Sequence, residues 1–331
     1  TNQMKKIVFI ICAAFLLKSC DNGNGQIALP TSNGSFNKVL VVTKGSNWIG
    51  EVGDAVRSKL GELMVGLPQP ENTLTLSQVA PNGFKKMMRQ SRNVLIIEES
   101  DKEAFTVNYD KYARPQIVIY ISAKDKKGLV KIINNNYKKI IELVKESDIK
   151  IMQNVFAKRK VDDSQYKTLS SLGVSLTIPK EFRTVDDTGE FLWLRHHLQS
   201  GIARGTGSNN ILVYTLPFDN VENVKNNIFS NRDKIGEKYV PGAKEGMHMI
   251  TEKAYTPYTY DAVIDNKKAF ESRGKWEMKN DFMAGPFLNY TVFDESNNRL
   301  IVFEGFTYCP SVDKREFIFE LEAIAKTLKI L

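Results

Sequence analysis

The sequence predicts an α/β N-terminal half, layered in the β-α-β manner, followed by an α+β sandwich with an antiparallel sheet and a C-terminal helix. Two observations favour this fold class. Strand-like apolar runs alternate with segments of helical periodicity over residues 38–160. Residues 161–331 instead group several strand-like runs together and end in an amphipathic segment. We therefore expect two domains, one at residues 38–160 and one at residues 161–331.

In the first half, hydrophobic periodicity separates strands from helices. Apolar side chains from Ile49 to Leu63 recur every three or four residues, which predicts a helix. Asp125 is placed to cap a second, longer helix whose apolar stripe runs from Leu129 to Val144. A short helix is expected at residues 84–88. Strands are predicted at residues 39–42, 73–79, 93–98 and 116–121.

In the second half, Gly173 is expected to end a helix over residues 165–172, and residues 221–235 read as another helix. Asp313 and Glu316 have the spacing of a capping box, which predicts the start of the terminal helix. Residues 294–298 are expected to form the turn of a hairpin. Strands are predicted at residues 174–179, 191–194, 211–216, 275–278, 288–293 and 300–306.

The N-terminus has the order of a secretory signal. Lys5 and Lys6 precede an uninterrupted apolar run from Ile7 to Leu17. That run is about half the length of a membrane-spanning helix, which needs about 20 residues. Residues 1–19 are therefore predicted to be a signal peptide, and the Gly/Asn/Ser-rich residues 20–37 a flexible tether.

The end of the apolar run resembles the lipobox of bacterial lipoproteins. Leu17 lies three residues before Cys20, and the small residue Ser19 directly precedes it, although Lys18 departs from the usual pattern. The resemblance implies cleavage before Cys20 and acylation of its thiol and new amino group, including palmitate-type chains. Several acyl chains on one residue anchor a protein stably. Cys20 is thus the predicted lipidation site.

Charge and cysteine content limit the classes of partner. After removal of residues 1–19, 43 basic and 38 acidic side chains remain. Residues 36–160 have a net charge of +9, whereas residues 161–331 have a net charge of −3. The basic half favours anionic lipid headgroups or an acidic partner, or it is a solvated lysine-rich surface. Only Cys309 is left beside Cys20, so no intramolecular disulfide is expected, and an exported protein is a poor candidate for nucleic-acid binding.

Glycine-rich turns do not complete a nucleotide site. Gly45 and Gly50 have P-loop spacing, but Glu51 stands where the phosphate-binding lysine is required. Residues 204–210 look like a glycine-rich cradle, yet they are more simply the loop of a hairpin. We expect no cofactor.

The histidines do not have the spacing of a metal site. His196 and His197 are adjacent, so on a strand they face opposite sides and cannot share one metal ion. No metal site is predicted. A hydrolase remains the alternative function, because a catalytic triad is set by geometry and not by spacing. Its candidate residues are Ser208, His196, His197 and Cys309, with acids from residues 186–190.

Residues 271–287 are the densest cluster of aromatic, glycine and charged residues. Together with the other segments below, they resemble an uncharacterised lipoprotein family of Bacteroidota, a domain-of-unknown-function family. The additional segments are residues 67–71, 113–116, 240–242, 304–306 and 314–317. The resemblance covers nearly the whole chain after the signal and implies a cell-envelope lipoprotein, with no catalytic role to carry over.

Residues 271–287 have two interpretations. In the structural one, Arg273-Gly274 and Gly285-Pro286 flank a strand and its turn, with Trp276 and Phe282 in the core. In the functional one, Arg273, Trp276, Phe282 and Pro286 form a surface that binds a partner.

These observations favour a lipid-anchored, non-enzymatic binding or accessory subunit of an outer-membrane complex. Assembly or secretion of outer-membrane proteins is the preferred context, chosen from the expected location. The partners expected are membrane lipid through acylated Cys20 and a β-barrel protein complex. The lipoprotein is expected on the outer membrane, at the cell surface or on the periplasmic face. An acidic residue directly after the lipidated cysteine, such as Asp21, resembles a surface-export signal of Bacteroidota.

Overall fold

One long helix joins two β-sheets in this chain. The computed structural model describes residues 28–199, 207–310 and 312–331. A mixed α/β sheet comes first, and a curled antiparallel sheet with a C-terminal helix follows, so the predicted fold class is confirmed. The predicted signal peptide, Cys20 and the first part of the predicted tether, residues 20–27, lie outside the described residues, whereas residues 28–37 are described.

The first sheet is parallel except for one edge strand. Its strands are ordered β2-β1-β3-β5-β4, and only β4 runs antiparallel to its neighbour. Near-continuous runs of Val, Ile and Leu form β3 and β5 because these strands are covered on both faces. The strands are β1 (Lys38–Val42), β2 (Thr75–Val79), β3 (Asn93–Glu99), β4 (Ala104–Tyr109) and β5 (Ile117–Ala123).

Helices cover one face of this sheet, and an aromatic pair packs on the other. After a four-residue helix, α1 (Gly45–Trp48), the helices α2 (Glu51–Leu60) and α3 (Lys126–Ala157) pack on the Val39/Val41 face. On the opposite face, Phe84, between the 3₁₀ turns Pro81–Gly83 and Lys86–Gln90, packs with Tyr112.

The predicted helix at residues 49–63 is shorter at both ends. Gly50 and Gly61 flank α2, and the side chains of Ile49 and Leu63 are exposed. The predicted cap of α3 is confirmed, because the Asp125 carboxylate accepts a hydrogen bond from the Gly128 N–H at 2.8 Å.

The helix α3 belongs to both cores. Its apolar residues from Leu129 to Val144 pack in the core of the first sheet. One turn later, Ile149, Met152 and Phe156 pack in the core of the second sheet. The 32-residue helix therefore fixes the two sheets relative to each other.

The second sheet is antiparallel, with strand order β10-β12-β13-β14-β9-β8-β7, and β11 pairs with the same edge of β12 as β10. A separate two-stranded ladder joins β6 (Val174–Ser175) to β15 (Lys329–Ile330). The strands of the large sheet are β7 (Arg183–Asp187), β8 (Phe191–Leu198), β9 (Gly207–Pro217), β10 (Met249–Thr251), β11 (Tyr258–Ile264), β12 (Lys267–Met278), β13 (Ala284–Asp294) and β14 (Arg299–Tyr308).

Helices pack on both faces of the second sheet. The helices α4 (Lys167–Leu172) and α6 (Arg315–Ala325) share one core with the end of α3, and α5 (Val221–Tyr239) packs on the opposite face. Gly173 ends α4 in the left-handed region, at φ 61°, as the sequence predicts. In the described ranges, no helix combines the length and the apolar character needed to cross a membrane.

Candidate functional site

The segment after α2 reaches across to the second sheet. The Gly66 N–H donates a hydrogen bond of 2.8 Å to the hydroxyl of Tyr255. Gly66 has a φ of +85°, and a Cβ built there would lie 3.2 Å from the backbone nitrogen of Gly274. A glycine is therefore required, both for the backbone conformation and for the close approach of the two halves.

The same segment caps the C-terminal helix. The Glu71 carboxylate accepts hydrogen bonds from the N–H groups of Lys314, at 2.7 Å, and Arg315, at 3.0 Å. Lys314 Nζ donates to Gln69 Oε1 at 2.7 Å. The predicted capping box of Asp313 and Glu316 is wrong, because Lys314 occupies the N-cap and a distant carboxylate supplies the acceptor.

Arg273 lies inside the molecule, beside this junction. Its Nε is 2.6 Å from Glu271 Oε1, and its Nη2 is 2.6 Å from Glu322 Oε2. The Tyr290 hydroxyl donates to Glu271, and Lys145 Nζ of α3 lies 3.1 Å from Glu322 Oε1. The cluster thus connects α3, α6 and the second sheet through paired charges.

Burial and pairing act in opposite directions on the pKa values in this cluster. Burial alone would lower the pKa of Arg273, but Glu271 and Glu322 raise it well above its usual range. Burial would likewise raise the pKa of Glu322, but Lys145 and Arg273 hold it well below its usual range. Both groups are therefore charged, and the contact of Lys145 with Glu322 links α3 to the second half.

A cleft with a volume of ≈ 210 Å³ opens beside the cluster. Lys145, Arg273, Glu62 and Glu271 line it, together with Tyr260 of the edge strand β11. Arg273 and Lys145 are already paired with carboxylates, so their charge is compensated. The cleft has room for a small polar molecule, but it presents no nucleophile beside a general base.

Of the four residues predicted to bind a partner, only Phe282 is on the surface. Arg273, Trp276 and Pro286 are buried. Phe282 is fully exposed, at 104% of its reference area. The prediction that Phe282 lies in the core is wrong, because it occupies the tip of the turn between β12 and β13 and has no layer above it.

Trp276 and Gly285 fix the base of this hairpin. The indole N–H of Trp276 donates to the carbonyl of Thr307 at 3.1 Å. A Cβ at Gly285 would lie 2.0 Å from that carbonyl oxygen, so only glycine allows β13 to approach the neighbouring strand this closely.

Backbone bonds close the turn itself. The Met278 N–H donates to the Met283 carbonyl at 2.8 Å, and the Asp281 N–H donates to the Met278 carbonyl at 3.0 Å. Asn280 adopts a left-handed conformation, at φ 61°, which asparagine tolerates better than most residues. The Phe282 N–H is bound by the Asp281 carboxylate. The exposed ring therefore stands on an ordered turn.

A second loop flanks the turn. Residues 241–248 connect to it through the Lys279 N–H, which donates to the His248 carbonyl at 2.9 Å. Met247 and Met283 are half-buried between the two segments. We call residues 241–248 and 279–283 the Phe282 tip. Its charged side chains are of both signs, namely Lys244, Glu245, Lys279 and Asp281.

The histidine pair lies on β8. His196 packs against Phe182 with ring centroids 5.5 Å apart, and burial lowers its pKa. His197 is exposed and lies opposite Ser208 in the register of β8 and β9. The Ser208 hydroxyl accepts a hydrogen bond from the amide of Asn210 at 3.0 Å.

The remaining hydrolase candidates are buried, bonded to the backbone or located on turns and strands away from the histidines. Cys309 is buried, and burial raises the pKa of its thiol. The Asp187 carboxylate accepts hydrogen bonds from the N–H groups of Lys167 and Thr168 at the start of α4. Asp186 lies on β7, and Glu190 is exposed in the turn before β8. Within the described ranges, no three His, Cys, Asp or Glu side chains converge as metal ligands.

Some solved structures resemble part of the chain. The Ran-binding protein Mog1p of Saccharomyces cerevisiae is 8% identical, with a TM-score of 0.32 over 48% of this chain and 90% of Mog1p. LpqN of Mycobacterium tuberculosis, involved in cell envelope biogenesis, is 11% identical, with a TM-score of 0.28 over 47% of this chain and 82% of LpqN. A Bacteroides thetaiotaomicron protein is 11% identical, with a TM-score of 0.26 over 49% of this chain and 46% of that protein.

Two family models divide the chain between them. Residues 32–157 match a domain of unknown function, DUF8532. Residues 161–327, just over half of the chain, match a domain of unknown function, DUF4837. No curated protein matches the sequence. From the extent of the second match, the chain belongs to the DUF4837 family.

Proposed function

We propose that this protein is a lipid-anchored, non-enzymatic binding subunit that serves an outer-membrane complex of the cell envelope. The lipobox-like residues around Cys20 support the anchor. The Phe282 tip supports the binding role. In this proposal the Phe282 tip binds a protein partner, and the two packed halves of the chain hold the tip in position.

The observation that carries the proposal is the complete exposure of Phe282 on an ordered turn. Burying a phenylalanine side chain contributes about 1.5–3 kcal/mol relative to leaving it in water. An aromatic ring kept out of the core is therefore available as an anchor for a partner, and aromatic side chains contribute strongly to binding hot spots. Met247 and Met283 beside it can adapt their shape to a partner surface.

Charge favours a protein as the occupant of the tip. The lysines and acids of the tip balance one another, so a strongly anionic or cationic partner gains no net attraction there. A membrane anchor holds the tip close to membrane-embedded partners at high effective concentration, which makes a modest contact sufficient. A β-barrel complex for protein assembly or secretion fits this location.

The test is purification of the native lipoprotein in gentle detergent, followed by mass spectrometry. We compare the unaltered protein with Phe282→Ala and with the control Ile49→Ala, which removes an exposed apolar side chain from the first half. We expect stoichiometric recovery of a β-barrel protein with the unaltered chain and the control, and about tenfold less with Phe282→Ala. Equal recovery with all three, or no partner for any, overturns the proposal.

A further inference from the structure

A cationic and apolar segment lies on the first half, away from the helices. Lys85, Lys86 and Arg89 are exposed in and beside the 3₁₀ turn Lys86–Gln90. Between them, Met87 and Met88 are 73% and 46% exposed. Two adjacent exposed methionines among three cations are unusual for a surface that faces only water, because apolar side chains gain by leaving it.

A cavity with a volume of ≈ 350 Å³ lies next to this segment. Met88 lines it, with Lys38 and Arg92 as its cations and the hydroxyls of Ser77 and Ser91 as neutral polar groups. The lining contains no carboxylate. The cavity therefore offers the Lys38 ammonium, with Arg92 beside it, and hydroxyl donors, which is the chemistry that binds a phosphate group.

Lys38 is the exposed cation of the cavity, whereas the half-buried Arg92 lies near the Asp148 carboxylate and opposes the rise that burial causes in the pKa of Asp148. Within the described ranges, neither Lys38 nor Arg92 makes a salt bridge, and Nε and Nη1 of Arg92 have no hydrogen-bond partner. The guanidinium of Arg92 lies 4.4 Å from the ring centroid of Phe36, which holds it in place. An anion in the cavity would therefore be compensated chiefly by Lys38.

The chain from Cys20 enters the fold on this same side. The Asn33 N–H donates to the Gln90 carbonyl at 2.8 Å, and the Arg92 N–H donates to the Asn33 carbonyl at 2.9 Å. The Ser32 N–H donates to the carbonyl of Arg114, whose side chain is 72% exposed. Residues 32 and 33, in the second half of the predicted tether, therefore lie against the chain beside both the cationic segment and the cavity.

We propose that residues 85–89 and the adjacent cavity form a membrane-docking face for anionic phospholipid. The cations contact lipid phosphates, Met87 and Met88 enter the boundary between headgroups and acyl chains, and the cavity accepts one headgroup phosphate beside Lys38. This inference rests on the envelope location of the proposed function, but not on the Phe282 contact. Basic residues beside apolar ones are the usual composition of segments that lie in a bilayer interface.

The test uses the chain from Cys20 onward with Cys20→Ser, so that binding does not depend on acylation. It is sedimented with vesicles of phosphatidylcholine, with or without phosphatidylglycerol. We compare Lys85→Glu/Lys86→Glu/Arg89→Glu with Lys127→Glu/Lys131→Glu/Lys138→Glu, the same charge change on the exposed side of α3. We expect binding only to the anionic vesicles, an about hundredfold loss with the first variant and little change with the second. Equal loss with both variants, or no binding by the parent chain, overturns the proposal.

Two further variants separate insertion and headgroup capture from simple attraction of charge. Met87→Ser/Met88→Ser keeps all cations, and we expect it to lose the binding that survives in high salt. Lys38→Ala should weaken binding to anionic vesicles more than Lys59→Ala, which removes a lysine of α2. Unchanged binding with both the methionine and the Lys38 variants contradicts the docking geometry. The Phe282→Ala variant should bind vesicles normally. Failure of the membrane-docking proposal can therefore be distinguished from failure of the proposed protein contact.

Discussion

The carboxylate of Glu71 accepts a hydrogen bond of 2.7 Å from the backbone N–H of Lys314, and so caps a helix that begins more than 240 residues later. The neighbouring Arg315 guanidinium reaches back to the Asn72 carbonyl at 2.8 Å. Residues 67–71, 273–274 and 314–317 therefore meet at one junction. These three segments are far apart in the sequence but are neighbours in the fold.

Removal of this cap should destabilise the protein. Loss of an N-cap acceptor costs about 0.5–2 kcal/mol, and Glu71→Ala should lie at the upper end because Lys314 is buried. The control is Glu62→Ala, which removes an exposed carboxylate from the same connection. Urea denaturation of both variants measures the difference. A free energy of unfolding that is unchanged in Glu71→Ala would show that the helix does not depend on this contact.

The buried pair of Arg273 and Glu322 should be strongly coupled. Arg273→Met or Glu322→Leu alone leaves a buried charge with fewer partners, which should cost about 3–5 kcal/mol. The double variant should cost clearly less than the sum of the two. The exposed pair of Arg114 and Asp110 serves as control, and Arg114→Ala should cost less than about 1 kcal/mol. Additive losses at Arg273 and Glu322 would contradict the coupling.

Glu320 should make stability depend on pH. Burial raises the pKa of its carboxyl from 4.5 to about 7, although Arg159 and the Asn209 amide oppose this shift. The folded state thus keeps a proton that the unfolded chain releases. The resulting stabilisation is present below pH 4.5 and is lost as the pH rises to about 7.

Glu320→Gln removes this ionisation. Between pH 4.5 and 7, the variant should lose less stability than the unaltered protein, by at most about 3 kcal/mol. Denaturation at several pH values measures the difference, with the exposed Glu190→Gln as control. Parallel pH profiles for Glu320→Gln and the unaltered protein would refute the assignment.

Acylation of Cys20 should decide where the protein partitions. Cys20→Ser should abolish labelling by a fatty-acid probe and shift most of the protein out of the membrane fraction, because acyl chains anchor stably whereas the docking face at residues 85–89 binds reversibly. Protease treatment of intact cells then distinguishes the cell surface from the periplasmic face. Unchanged partitioning and unchanged labelling of Cys20→Ser would exclude the lipid anchor at this residue.

The spacing of apolar residues in the sequence correctly predicts the strands that are buried on both faces and the helix that is strongly amphipathic. The strands β3 and β5 and the helix α3 are such elements, since their apolar runs leave little choice of conformation. The edge strands β4 and β11 were not predicted, because both are largely exposed and their composition resembles that of loops.

Contacts between distant segments could not be predicted from local patterns. A capping carboxylate next to its helix and one 243 residues away look alike in sequence, so Asp313 was assigned the role that Glu71 fills. The sequence leaves two interpretations of Phe282, a core position, as is usual for phenylalanine, and a partner-binding surface, and only the hairpin geometry shows that the ring is exposed. The Arg92 cavity likewise depends on three separate segments meeting.

Site-specific photo-crosslinking in intact cells tests whether the Phe282 tip contacts a β-barrel protein. A photoreactive amino acid replaces Phe282 in one strain and Ile49, which is also exposed, in another. We expect one discrete adduct from position 282, containing a β-barrel outer-membrane protein, and no such adduct from position 49. The absence of an adduct at position 282, or the same adducts from both positions, would contradict the role of the Phe282 tip.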